Sequence, residues 1–263
     1  MKFASLATGA ALLVAATSCF AVGSLADVTL LDRSTGRSLT PHYSDGHWYV
    51  AGRPGAAYEI RVRNVSGADL LGVVSVDGVN VITGETAATP QSGYVVPAGT
   101  TLPVSGWRKD MTRIAAFVFT SHDNAYATRT GRPDNVGVIG VALFRRKVEA
   151  PPIAVEEESW RGSPRSGNAS QDAASGAAPA ASARRRAEAA PMEQKSLGTG
   201  HGRSETNHAR YALFERESDA PNEVITIYYD SRENLVERGI LPPARPPAPQ
   251  PFPNGFVPDP PNS

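Results

Sequence analysis

Gly198-Thr199-Gly200-His201-Gly202 is the most unusual motif of the chain, and Arg203, Ser204 and Glu205 follow it directly. A histidine, a hydroxyl and a carboxylate are the side chains of a hydrolase, in which the base must reach the nucleophile and the acid must orient the base. His201 is the candidate base. Spacing alone does not establish that geometry, and no nucleophile-elbow pattern surrounds Ser204. The glycines read as a loop and offer a second chemistry, since successive backbone N–H groups of a glycine-rich loop can face an anion. They lack the lysine and the helix start of a phosphate loop, so a nucleotide site is not indicated. The structural alternative is that the glycines let the chain lie close to its neighbours while His201 makes a structural hydrogen bond.

Three further constellations have reactive side chains. His42 and His47, with Asp45 between them, could hold a metal if His122 or His201 supplied another ligand. On a strand, however, residues five apart point to opposite faces. Asp77, Asn80 and Glu85 offer oxygen ligands for calcium, although Asp77-Gly78 is fully explained as turn chemistry. Trp107-Arg108-Lys109-Asp110 and Thr130-Gly131-Arg132-Pro133-Asp134 are polar stretches suited either to recognition or to salt-bridged loops. The binding candidates are therefore Trp107, Arg108, Arg132, His201 and Arg203. No cofactor and no metal site is expected.

Composition narrows the setting. The chain holds 26 basic and 26 acidic side chains, which leaves no electrostatic footprint for nucleic acid. Its densest basic run, Arg184-Arg185-Arg186, falls in a low-complexity stretch. Lys2 opens an uncharged run to Val22, and Ser24 and Ala26 place small residues three and one positions before a bond to Asp27. That pattern reads as a secretory signal peptide over residues 1–26. The single cysteine, Cys19, lies within it, so cleavage would leave no disulfide and no thiolate chemistry. Lipid attachment at Cys19 is the less favoured alternative, because Ala16-Thr17-Ser18 lacks the large apolar residue of a lipobox. The mature chain is expected to be periplasmic or secreted, with no transmembrane segment.

The elements that must position these groups read mainly as strands. Leu70–Ile82 is rich in β-branched residues, which suit a pleated, half-buried surface. Asp77-Gly78 interrupts it as a hairpin turn. Tyr58, Ile60 and Val62 alternate with Glu59, Arg61 and Arg63, the pattern of a strand with one wet face. Further apolar segments occur at 28–31, 47–50, 93–96, 101–104, 114–120 and 136–144, and no amphipathic helix stands out between 27 and 147. Strands at this spacing predict an antiparallel two-sheet sandwich of immunoglobulin-like architecture over residues 27–148.

Residues 149–194 are rich in Ser, Gly, Ala and Pro and bury little, so a disordered linker is expected there. Order should return at 195–241, with strands at 211–214 and 224–229 and a short helix capped by Ser231 and stopped by Gly239. A segment this short without cysteine rarely folds alone. It should dock on the sandwich, for instance by extending a sheet edge. The proline-rich residues 242–263 should form an extended tail.

Val74–Thr86, Gly106–Lys109, Thr130–Gly140 and Gly198–Arg203 resemble stretches of an uncharacterised family of exported Gram-negative bacterial proteins, and the resemblance covers most of the chain expected to be ordered. It implies export and a pairing of the sandwich with the downstream segment, and it carries no activity or catalytic residue. The expected function is a non-enzymatic cell-envelope protein that binds another protein or an envelope component. The alternative is an envelope hydrolase whose site forms at the seam between the sandwich and residues 195–241.

Overall fold

The Leu70–Ile82 stretch builds its hairpin as β6 (Leu70–Val76) and β7 (Val79–Asn80), with Val76 opposite Val79. Asp77 and Gly78 hold φ values of 53° and 71°. Two positive φ angles make a type I′ turn, whose twist matches that of the flanking strands. The structure is a computed structural model that describes residues 22–148 and 196–243. Most of the expected leader, the expected linker and all but the start of the expected tail lie outside the described residues.

The fold is mainly β and comprises several sheets, without closing into a barrel. The four-stranded sheet joins β1 (Ala26–Asp32), β2 (Arg37–Leu39), β5 (Tyr58–Asn64) and β9 (Thr101–Val104) in the order β2-β1-β5-β9. In β5 the alternation holds: Tyr58, Ile60 and Val62 are buried while Arg61 and Arg63 are exposed. The seven-stranded sheet contains β3 (Pro41–Ser44), β4 (His47–Gly52), β12 (Val138–Arg145) and β14 (Glu223–Ser231). Its order is β3-β4-β14-β12-β6-β7, and β8 (Tyr94–Val96) also pairs with β6. The three-stranded sheet runs β10 (Gly106–Arg108), β11 (Arg113–Ser121), β13 (Leu197–Thr206). Its β11 is tied to the approach to β5, where Gly55 donates to Phe119 O at 2.7 Å and Phe119 donates to Ala56 O at 3.0 Å. Leu30, Ile60, Val74, Phe117, Ile139 and Ile227, drawn from all three sheets, belong to one buried apolar cluster.

The downstream residues do more than extend an edge. β13 does lie at a sheet edge, but β14 inserts between β12 and β4, antiparallel to the first and parallel to the second. That parallel pair departs from the all-antiparallel expectation. It is available to β14 because a long connection precedes it, whereas a tight hairpin can only produce antiparallel neighbours. Residues 22–26 also belong to the fold: Ala26 is fully buried, and the position expected for leader cleavage falls inside β1.

Two local expectations are corrected. Tyr211–Phe214 is not a strand but part of an irregular extended arm, with Tyr211 and Leu213 92% and 96% exposed. β-Propensity rewards packing against cross-strand neighbours, and no strand pairs with these residues among the described ones. Conversely Gly198–Gly202, read as a loop, lies within β13. Its glycines answer to space rather than to positive φ. A Cβ at Gly198 would lie 2.6 Å from both Ala125 Cβ and Val136 Cγ1, and one at Gly202 would lie 2.7 Å from Ala116 O. Over this strand passes an excursion that contains the single-turn helix α1 (Tyr126–Arg129), too short for periodicity to reveal. Gly198→Val should therefore cost about 1–3 kcal/mol by overpacking. Gly200→Ala should cost less, because its Cβ would meet nothing closer than Thr120 Cγ2 at 3.2 Å. Denaturant midpoints of the two variants test this ranking.

The C-terminal helix, α2 (Arg232–Glu237), starts where expected: Ser231 Oγ accepts from Asn234 N at 3.1 Å. Gly239, with φ 73°, ends it, and Leu235 packs with Tyr49 and Leu241. No helix among the described residues is long and apolar enough to cross a membrane.

Candidate functional site

His201, Ser204 and Glu205 all lie on β13, but the structure does not assemble them. The Glu205 carboxylate is engaged by Arg33, whose Nη1 and Nη2 donate at 3.1 and 2.8 Å. Such a bidentate pair uses both carboxylate oxygens. His201 is exposed, and its ring neighbour is Tyr126 at 5.7 Å between centroids. Arg203 is likewise exposed on the strand.

The other binding candidates make contacts within the fold. Trp107 is buried between Phe117 and Tyr126, at centroid distances of 4.8 and 5.0 Å. Its Nε1 has no hydrogen-bond partner among the described residues. Arg132 donates to Thr130 Oγ1 and Gly84 O, which fastens the 130–134 loop to the turn after β7. Arg108 joins three segments: it donates to Tyr94 Oη at 3.0 Å, to Asp110 O at 3.1 Å and to Asn207 O at 2.9 Å. A guanidinium presents five donors in a rigid fork, which suits such bridging.

The candidate metal ligands do not converge either, and no group of three His, Cys, Asp or Glu does so among the described residues. His47 packs against Tyr49 and Tyr228. The imidazole of His42 titrates lower than usual because of burial and the charge of Arg232. His122 Nε2 faces Pro133 O at 3.3 Å. Asn80 Oδ1 accepts from Ile82 N and Thr83 N, in a turn of its own, while Asp77 points into the core.

Asp77 instead ends a buried polar chain. Its Oδ1 accepts from Gly137 N at 3.0 Å and from Tyr229 Oη at 2.5 Å, and its Oδ2 accepts from Thr199 N at 2.8 Å. Thr199 Oγ1 lies 2.6 Å from Tyr229 Oη and 2.7 Å from Tyr58 Oη. An ionised carboxylate only accepts, so Tyr229 must donate to Asp77, Thr199 to Tyr229, and Tyr58 to Thr199. This chain links β5, β13 and β14 to the β6–β7 turn. A tyrosine on the apolar face of a strand signals such a network, because its buried hydroxyl needs a partner.

Burial pushes the Asp77 carboxyl up to about 6, against the pull of its donors. The folded state therefore keeps a proton that the unfolded chain, near the ordinary carboxyl value of 3.8, has released. The contribution of Asp77 to stability is highest below pH ~4 and falls by about 3 kcal/mol as pH rises to ~6. Denaturation of the wild type and Asp77→Asn across this range should show their stability difference moving in favour of the variant as pH rises. A difference independent of pH would refute the shift.

A groove of about 1280 Å³ opens at the surface of the described residues. One wall comes from β8, β9 and β10, including Tyr94, Leu102 and Arg108, and the other from an arm at 207–216. The arm is held at both ends. Asn207 N and Ala209 N donate to Thr112 O and Met111 O at 2.7 and 2.9 Å. At the far end Arg216 lies over the Phe144 ring at 4.1 Å and donates to Thr89 O and Gln91 O, and Lys147 pairs with Glu215. Between these anchors the backbone groups of Arg210, Tyr211 and Ala212 have no partner among the described residues. His208, Arg210, Tyr211 and Leu213 are exposed there. Sequence reasoning missed these residues because it paired 211–214 as a strand.

No protein-family model, curated protein or solved structure matches the chain.

Proposed function

We propose that the chain is an exported, non-enzymatic cell-envelope binding protein that takes an extended segment of a partner protein into the groove beneath the 207–216 arm. We also read the sheets as facing layers of an immunoglobulin-like sandwich, with the four- and three-stranded sheets side by side in one layer. The observation that carries the binding reading is the groove with its unpaired arm. Its volume of about 1280 Å³ exceeds the roughly 300–1,000 Å³ of small-ligand pockets. Tyr211, which lines the groove, presents a large apolar side chain beside unpaired backbone groups, the combination that strand-like peptides use. Export is supported by the apolar leader pattern.

A photo-crosslinking residue at position 211, in cells that produce and export the protein, should yield an adduct of discrete mass. The same residue at Val224, exposed outside the groove, should not. Equal labelling at both positions would sink the groove as a binding site. The hydrolase alternative needs an acid and a nucleophile beside His201, and Glu205 is held by Arg33. His201→Ala should change stability by less than about 0.5 kcal/mol, as at exposed positions without buried partners, as a denaturant midpoint would show.

A further inference from the structure

We propose that the leader is cut between Ala21 and Val22, so that residues 22–26 remain as the first residues of the folded protein. This rests on the export reading. Residues 22–26 form a closed loop that the rest of the fold holds. Val22 is 6% exposed and exchanges both backbone hydrogen bonds with Val28, at 3.2 and 2.9 Å. The chain reverses at Gly23, where φ is 125° and a Cβ would come within 2.1 Å of Ala26 O. Only glycine fits such a reversal.

The loop is then fastened from β14. Glu223 Oε1 accepts from Ser24 N at 2.7 Å and from Ser24 Oγ at 3.0 Å, and Oε2 accepts from Leu25 N at 2.7 Å. Val65 N donates to Leu25 O at 3.1 Å. Ala26 is fully buried opposite Asn64. Cleavage after Ala26 would remove every one of these partners. It would also empty the Ala26 position in the core and place a charged ammonium on Asp27, inside β1.

The sequence offers the earlier bond. Cys19 and Ala21 place small side chains three and one residues before Val22, the pattern that a leader-cleaving protease reads. The step is hydrolysis: water adds across the Ala21–Val22 amide, the C–N bond breaks, Ala21 keeps the carboxylate and Val22 gains the α-ammonium. That ammonium still donates to Val28 O, so the loop survives the cut. Cys19 departs with the leader.

Intact-mass and N-terminal analysis of the protein recovered from an exporting bacterial host tests the site. A chain beginning at Val22 is expected. A chain beginning at Asp27, or at a lipid-modified Cys19, overturns the proposal. A chain that keeps Met1 overturns the export reading, and the cut with it. The structural argument has its own test, independent of export. Chains starting at Val22 or Asp27 after an initiator methionine, both produced without export, should differ in thermal midpoint, the shorter being lower by about 5 °C or more. Equal midpoints would show that residues 22–26 contribute nothing and would remove the reason for preferring the earlier bond.

Discussion

A chain ending at Val148 will not fold. It would lack β13 and β14, and β14 is an interior strand of the seven-stranded sheet. Without it β4 and β12 each expose a row of unpaired backbone groups, and the β3–β4 pair loses its sheet neighbour. Leu197, Ile225, Ile227 and Tyr229 are each 3% exposed or less. Burial of such side chains stabilises by about 1.5–3 kcal/mol each, and together they approach the roughly 5–15 kcal/mol that holds an ordinary domain together. Residues 22–148 produced alone should show no cooperative thermal or denaturant transition. A protein nicked by protease between residues 149 and 195 should behave oppositely. Its two pieces should co-elute on size exclusion, because the sheet contacts are non-covalent and do not depend on an intact connection. A cooperative transition in the fragment, or separation of the nicked pieces, would show that β14 is dispensable.

Asp77→Ala should be the most damaging single substitution among the polar core residues, at about 3–5 kcal/mol. Gly137 N, Thr199 N and Tyr229 Oη would each lose an acceptor in a site from which water is excluded. Alanine would also have to hold the positive φ of a type I′ turn, which aspartate and asparagine tolerate better. Relief from burying a carboxylate offsets part of this cost. Asp77→Asn keeps an acceptor and the turn preference, so its loss should be smaller. Urea midpoints of the three proteins at one pH decide the matter. An alanine variant as stable as the asparagine variant would mean that the network contributes no more than the turn.

Some of this architecture is legible in the chain itself. Local rules were enough where the deciding atoms are close in sequence: the period-two alternation of Tyr58–Arg63, the Asp77-Gly78 turn, and the Ser231 cap with its Gly239 stop. Each depends on φ preference, strand alternation or a side chain reaching its own backbone. The same rules misread Gly198–Gly202 as a loop and Tyr211–Phe214 as a strand. Glycine in the first serves close packing against Ala125 and Val136, residues far away in the chain. In the second, Tyr211 and Leu213 stay exposed and no strand pairs with this backbone among the described residues, while Phe214 packs on the β6–β12 face.

The candidate site divides in the same way. Residue type alone nominated Trp107, Arg108, Arg132 and His201. What each touches depends on contacts across scores of residues: Arg108 with Asn207, Arg132 with Gly84, and Arg33 with Glu205. The groove exists only because an arm anchored at residues 207–209 and 215–217 crosses a wall built from residues 94–108. The sequence by itself determined the β character and the central hairpin. Tertiary structure alone decided that β14 is internal, that Asp77 joins a buried chain to Tyr58, and that residues 22–26 are held by Glu223. Strand identity follows from periodicity within a few residues, whereas pairing partner and burial are set by which distant segments fill the same space.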